Sequence, residues 1–205
     1  MKKVNKSVLY GAASLFLFGF IVSCTTISFI KVNYHLPVTT NDLKGKSVFL
    51  SFEDARQSKD LLGEGARQDF KNFSENISFS VSQGTENGYN LGVFDLSALF
   101  VEAFKRRFEA LGIEVVQKKK ESQIEIKIVL TAFLLDQVGR SWTFDMGYEA
   151  RLIKGGEMLT KQMISGQSER VKLIGLREAD ILVGESFTGL VNKLDLERLF
   201  QQAGL

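Results

Sequence analysis

Hydrophobic positions recur along this chain in three patterns, and each predicts a different kind of element. The first is continuous: residues 8–22 form an uncharged, mostly apolar stretch of fifteen positions, preceded by Lys2, Lys3 and Lys6. The second is helical: Leu96, Leu99, Phe100, Ala103, Phe104, Phe108 and Leu111 return at steps of three, one and four, which gathers them on one face. Asp95 stands where an N-cap belongs and Gly112 where a left-handed C-terminal cap would fall. A weaker stripe, Val183, Phe187, Leu190, Val191 and Leu194, predicts a helix over about 178–193, interrupted by Gly184 and Gly189. Those glycines would let it sit close on a sheet, and Asp195 then caps a short helix over 196–202.

The third pattern is strict alternation, the mark of strands with one wet and one dry face. Val48, Leu50 and Phe52 alternate in part with serines, and Ile77, Phe79 and Val81 alternate with Ser78, Ser80 and Ser82. Ile124, Ile126, Ile128, Leu130, Ala132 and Leu134 form a longer series. Trp142, Phe144, Met146, Tyr148, Ala150 and Leu152 form the clearest one, set against Thr143, Asp145, Glu149 and Arg151. Residues 154–157, Lys-Gly-Gly-Glu, predict a tight hairpin into a last strand reaching about Glu169. Strands, a helix, three consecutive strands and a helix make an α+β domain: an antiparallel β-sheet meander with two main helices packed on one face.

The opening stretch changes how the rest is read. Fifteen apolar residues fall short of the ~20 that a transmembrane helix needs, and fit the hydrophobic core of a secretory signal. Ile21-Val22-Ser23-Cys24 closes it with a small residue before the chain's single cysteine, which predicts a lipoprotein signal over residues 1–23 with lipidation at Cys24. Two or more acyl chains anchor a protein stably where one does not. The expected partner is therefore the membrane, held through N-terminal acyl chains. Thr25 follows the cysteine where an inner-membrane retention signal would place Asp, so the expected location is the outer membrane, facing the periplasm. Residues 24–45, with Pro37, Thr39, Thr40 and Asn41, read as the lipidated N-terminus and a tether, part of which can pair as an edge strand. Residues 46–205 read as one periplasmic domain, large enough to bury ~70% of its unfolded surface.

Charge and chemistry narrow the function. The whole chain has 26 basic and 24 acidic residues, and without the three signal lysines the balance is 23 to 24. A neutral body carries no electrostatic footprint for nucleic acid. With Cys24 acylated no thiol remains, and His35 is the only histidine. Metal, Ser-His-Asp and Cys-His chemistry are thus unsupported, no cofactor is expected, and an enzyme would have to work through carboxylates. Asp54 and Arg56, at the end of the first strand of the domain, are the one candidate polar site, with a strand-closing ion pair as the plainer reading. Gly63-x-Gly65 begins a dinucleotide pattern, but Gln68 occupies the third glycine position.

The lipidation signal, the strand ending in Asp54-x-Arg56, the helix from Asp95 closed by Gly112, and Asp195-x-x-x-Leu199 after the last long helix resemble the YajG-like family of bacterial envelope lipoproteins. The resemblance implies a lipid-anchored envelope protein with no catalytic residues to carry over. The leading expectation is a non-enzymatic accessory or binding domain for another envelope protein, contacting it through the exposed sheet face or the Gly-rich region 63–92. An auxiliary lipoprotein of a lipid or ABC transport system and a small-ligand carrier with a pocket under Phe100, Phe104 and Phe108 remain open. So does a cell-wall glycan hydrolase using Asp54 or Asp145.

Overall fold

In the computed structural model, the described residues, 27–84 and 88–205, form eight strands in two sheets with four α-helices. In chain order they are β1 Ser28–Leu36, β2 Ser47–Asp54, α1 Glu64–Asp69, β3 Phe73–Gln83, β4 Tyr89–Phe94, α2 Leu96–Glu109 and β5 Glu114–Val116. There follow β6 Ile124–Val138, β7 Ser141–Lys154, β8 Glu157–Val171, α3 Arg177–Asn192 and α4 Leu196–Gln202. The larger sheet has the order β5-β2-β6-β7-β8 and the smaller one β1-β3-β4.

The α+β class holds, and β6, β7 and β8 are the antiparallel meander that alternation predicted. The sheets are mixed, however. β2 runs parallel to both β5 and β6, and β1 runs parallel to β3. Alternation reports which side chains share a face, and it is silent on the direction of the neighbouring strand.

Each predicted cap forms. Asp95 accepts from the Ala98 amide at 2.7 Å, Asp195 accepts from the Arg198 amide at 2.9 Å, and Gly112 has φ +83°. The α2 stripe is wholly interior. Phe100, Phe104 and Phe108 are inaccessible to solvent: the Phe100 ring meets Phe133 and Phe187 at centroid distances of 6.1 and 5.5 Å, and Phe104 meets Tyr148 at 5.2 Å and Phe108 at 6.0 Å. Phe187 of α3 also packs edge-on to Tyr34 of β1 and against Phe79 of β3, so one aromatic cluster joins both sheets and both long helices. Offset and edge-to-face pairs of this kind are worth about 0.5–1.5 kcal/mol beyond the area they bury.

Two stretches are more ordered than a tether and a Gly-rich loop would be. Residues 28–36, inside the segment read as a tether able in part to pair as an edge strand, are that edge strand, β1. Ile30, Val32 and Tyr34 are fully buried beside β3, while Lys31, Asn33 and His35 face out. The Gly-rich region 63–92 holds the strand that Ile77, Phe79 and Val81 predicted, β3, and adds α1 and the start of β4. Its glycines at 63 and 65 serve close packing, since a Cβ at Gly63 would lie 2.1 Å from Asp136 Cγ and one at Gly65 2.0 Å from the Gln137 carbonyl oxygen. In return the Asp136 carboxylate accepts from the Gly65 and Ala66 amides at 3.0 and 3.2 Å and caps the free N–H groups of α1.

Candidate functional site

Asp54 closes β2 and turns inward with Leu50 and Phe52, and Arg56 follows after one residue. The Arg56 side chain is only 7% exposed, and all five of its N–H donors are used. Nε and one terminal nitrogen grip the two Asp54 oxygens at 3.0 Å each. The remaining donors reach the carbonyls of Lys59, Asp60 and Phe133 at 3.2, 3.0 and 3.1 Å. Burial alone would raise the Asp54 pKa. The hydrogen bonds from Arg56 and Lys59 outweigh it and hold this carboxyl below its ordinary value. The pair is thus brought together as the sequence suggested, as a clamp that ties the loop after β2 to β6. No donor of Arg56 is left for a ligand.

Beside the clamp is a cleft of about 310 Å³, lined in part by Leu61, Leu62, Phe70, Phe73 and Arg67. Its other cations are also engaged: Arg67 pairs with Asp60 at 2.6 Å and donates to the Leu62 carbonyl at 3.1 Å, and Lys59 pairs with Asp54 at 3.2 Å. Asp145, the other carboxylate considered for hydrolysis, lies between buried Phe144 and Met146 and therefore faces outward. Asp54 and Asp145 stand on opposite faces of one sheet and cannot act on a common bond.

The outer face of the larger sheet, the wet face that alternation predicts, carries a ladder of ion pairs. Lys127 meets Glu53 at 2.5 Å, Lys119 meets Glu125 at 2.5 Å, and Glu149 is held between Arg151 and Lys161. Ser51 adds a 2.6 Å hydrogen bond to Glu125. The hydrogen bond from Lys161 leads the causes that keep the Glu149 carboxyl below its usual range. Lys127 stands opposite Ser51 and Arg151 and reaches Glu53 diagonally, and Glu149 is met by Arg151 two positions along β7 and by Lys161 of β8, so alternating charged positions on consecutive strands were the available signal. Above the ladder lie exposed Leu134 and Met163, and Met163 belongs to β8, the fifteen-residue terminal strand of this sheet.

The opposite extreme is the edge of β1. Side chains at every fourth position of α3 meet that strand's backbone. Asp180 accepts from the Lys31 amide at 3.0 Å, Thr188 accepts from the His35 amide at 3.1 Å, and the Asn192 side-chain amide donates to the His35 carbonyl at 3.0 Å. Gly184, within the same series, lies where a Cβ would come 3.3 Å from the Asn33 nitrogen. A groove of about 550 Å³ runs alongside, past Lys31, Asn33, His35, Ser80 and Asp180. His35 Nδ1 lies 2.6 Å from Ser82 Oγ. Among the described residues, no group of three or more His, Cys, Asp or Glu side chains is placed to hold a metal ion, and no helix is long and apolar enough to cross a membrane. Cys24 lies outside the described residues.

No family model and no curated protein sequence matches the chain. Among solved structures the chain is similar to protein XCC0632 from Xanthomonas campestris, a protein of family DUF330. The TM-score is 0.56 at 13% identity, over 85% of this chain and 95% of that one. It is more distantly similar to protein CT253 from Chlamydia trachomatis, with TM-score 0.47 and 8% identity over 79% and 99% of the two chains. It is also distantly similar to lipoprotein GNA1162 from Neisseria meningitidis, with TM-score 0.31 and 11% identity over 78% and 99%. The first likeness shows a shared α+β fold. These neighbours do not single out the YajG-like family.

Proposed function

We propose that this chain is a lipid-anchored envelope lipoprotein whose domain serves, without catalysis of its own, as an accessory or binding module for another envelope protein. The anchor is Cys24, acylated after removal of residues 1–23, and outer-membrane placement facing the periplasm follows from Thr25. The observation that carries the binding role is the contrast between a consumed polar site and an uncovered surface. Arg56 has no donor left to offer, while the outer face of β6, β7 and β8 bears a fixed charge ladder beside exposed Met163. Such a face, ending in an open strand, suits a protein partner docked side-on or added as a strand.

A role as auxiliary lipoprotein of a lipid or ABC transport system, or membership of the YajG-like family, is a finer form of this reading. The lipid-carrier alternative fares worse, because the Phe100, Phe104 and Phe108 face is filled by its own ring contacts. The test is photo-crosslinking in living cells from position 163, in the wild type and in Cys24→Ala with its signal retained. A single stoichiometric partner captured from 163, weakened without the anchor, is the expected result. Capture of that partner only from positions on the β1 side would move the contact surface elsewhere.

A further inference from the structure

The described chain begins at one end of the domain, and that end exposes its most hydrophobic tips. Leu173 and Ile174, in the loop between β8 and α3, are 73% and 88% exposed. Val138 and Val171 flank them at the last rung of the larger sheet, where Val138 pairs with Ser141 and Ser141 with Val171. The Lys172 amide donates to the Arg140 carbonyl at 2.9 Å, which binds this loop to the β6–β7 hairpin. Lone exposed apolar residues are ordinary, but four gathered on two adjoining tips are not.

Three contacts place the start of β1 at the same end. Ser28 donates through its amide and hydroxyl to the carbonyls of Asn72 and Lys71 at 3.4 and 2.7 Å. Asp69, two residues before Lys71, takes the Lys172 ammonium, so the end of α1 and the turn after it hold both the first strand and the apolar loop. β1 also runs alongside α3 in the same direction, with Lys31 level with Asp180 and His35 with Thr188. Stepping back ~10 Å along the strand brings Ser28 level with the start of α3 and the loop before it. Ile27, 56% exposed, precedes Ser28 there.

Cys24 is four residues before Ser28, a reach of at most ~14 Å even fully extended. We infer that this end of the domain rests on the bilayer to which Cys24 is anchored, with Leu173 and Ile174 inserted at the lipid interface. The inference rests on lipidation at Cys24 and adds to it an orientation: the domain lies on the membrane surface in place of swinging on a long tether. Charge agrees with this placement. Exposed Lys71, Arg140 and Arg177 ring the tips, and among the described residues none has a carboxylate within ion-pair distance, whereas Asp69 is already taken by Lys172. Apolar tips among basic residues are the composition of a surface that meets anionic lipid headgroups.

The experiment uses the full chain, expressed with its signal, purified as the acylated protein and reconstituted into phosphatidylethanolamine–phosphatidylglycerol vesicles. Ile174→Cys supplies one reactive thiol, Cys24 being blocked, for an environment-sensitive fluorophore; Lys193→Cys, at the far end of α3, is the reference. The expected result is blue-shifted emission at 174, quenched by nitroxide groups on the lipid chains, with neither effect at 193. Leu173→Asp combined with Ile174→Asp should leave the protein in the vesicles yet abolish the lipid quenching of a probe at Val138→Cys. A 174 probe that emits as in water overturns the inference while leaving the anchor intact. A blue shift without lipid quenching overturns it too, because a protein then covers the tips. Absence of acyl mass at Cys24, with a second labelled thiol, removes the premise and the inference with it.

Discussion

The strands β1 and β8, one at an edge of each sheet, face the same physical problem and meet it in opposite ways. Each ends a sheet, and each has a row of backbone groups with no strand beyond it. At β1 the helix α3 supplies the missing partners from Asp180, Thr188 and Asn192, spaced eight and four apart so that one helical face tracks alternate residues of the strand. At β8 the same helix contacts the inner face, with Leu190 against Gly166, and the strand carries Met158, Leu159 and Met163 exposed. One edge is thus sealed by side chains chosen for their hydrogen bonds. The other carries charged and exposed apolar side chains, which makes it an edge available to a second molecule.

The seal depends most on how closely the helix approaches. Gly184→Val places a β-branched side chain where a Cβ already lies 3.3 and 3.4 Å from the backbone nitrogen and oxygen of Asn33. The contact is with backbone, which cannot rotate away, so α3 must lift from β1. A glycine inside a helix usually loses ~1 kcal/mol against alanine, so relief of that cost works in favour of the variant. Overpacking at a fixed contact costs ~1–3 kcal/mol or more. A net loss of about 2 kcal/mol in a urea titration is expected, and a gain would mean that the helix does not hold the strand.

Asn192→Ala comes next. It leaves the His35 carbonyl and the Tyr34 hydroxyl without their partner, since Tyr34 donates to Asn192 Oδ1 at 2.8 Å. Losing partners to buried or half-buried polar groups costs ~1–2 kcal/mol. Amide hydrogen exchange at His35 should quicken in Thr188→Ala and stay slow in a control change on the outer face of β8.

Much of this fold was legible in the sequence where a period and a cap agreed. The α2 stripe with Asp95, and the strict alternation from Trp142 to Leu152, each name an element and its buried face. β1 was equally readable, because Ile30, Val32 and Tyr34 alternate with Lys31, Asn33 and His35. Pro37, Thr39 and Asn41 mark the residues after β1 as linker, and the sequence leaves the part before them free to pair as an edge strand. α1 could not be read, since six residues are too few to show a helical period and its N-terminal cap, Asp136, comes from a distant strand. For the candidate site, adjacency of Asp54 and Arg56 was visible in sequence. That three backbone carbonyls would exhaust the guanidinium was not, because two of them come from the loop it shapes and one from β6.

Asp180 sharpens the comparison with an effect of opposite sign. Burial is the chief cause that pushes its pKa up to about 6 from an ordinary 3.8, against a hydrogen bond from the Lys31 amide that works the other way. A carboxyl whose folded pKa is raised binds its proton more tightly in the folded state. Its contribution is most favourable below about pH 4, and it is lost as pH rises through 6. The ladder carboxylates Glu125 and Glu149 are depressed and run oppositely, losing their contribution as pH falls through their folded pKa values. Asp180→Asn keeps an acceptor for the Lys31 amide and removes the titration. Allowing for partial solvent screening, it should stabilise the domain by on the order of 1 kcal/mol at pH 7.5 and by nothing at pH 4. Equal effects at the two values would mean that Asp180 is not the group responsible.

The smallest expected effect is at the open edge, and its smallness is what gives it meaning. Met163→Lys changes a side chain that is 71% exposed on the outer face of β8, beside Lys161 and across from Glu149. At that exposure it lies outside the buried core, so unfolding free energy should move by less than ~0.5 kcal/mol, as for surface changes that touch no cap, cavity or buried group. Were β8 sealed from within like β1, a lysine there would have to displace a neighbour and the cost would approach that of Gly184→Val. A near-zero change in stability together with a lost crosslink from this face would separate the two edges by function as well as by structure. A large change in stability would place Met163 in the folding of the domain and withdraw it from partner binding.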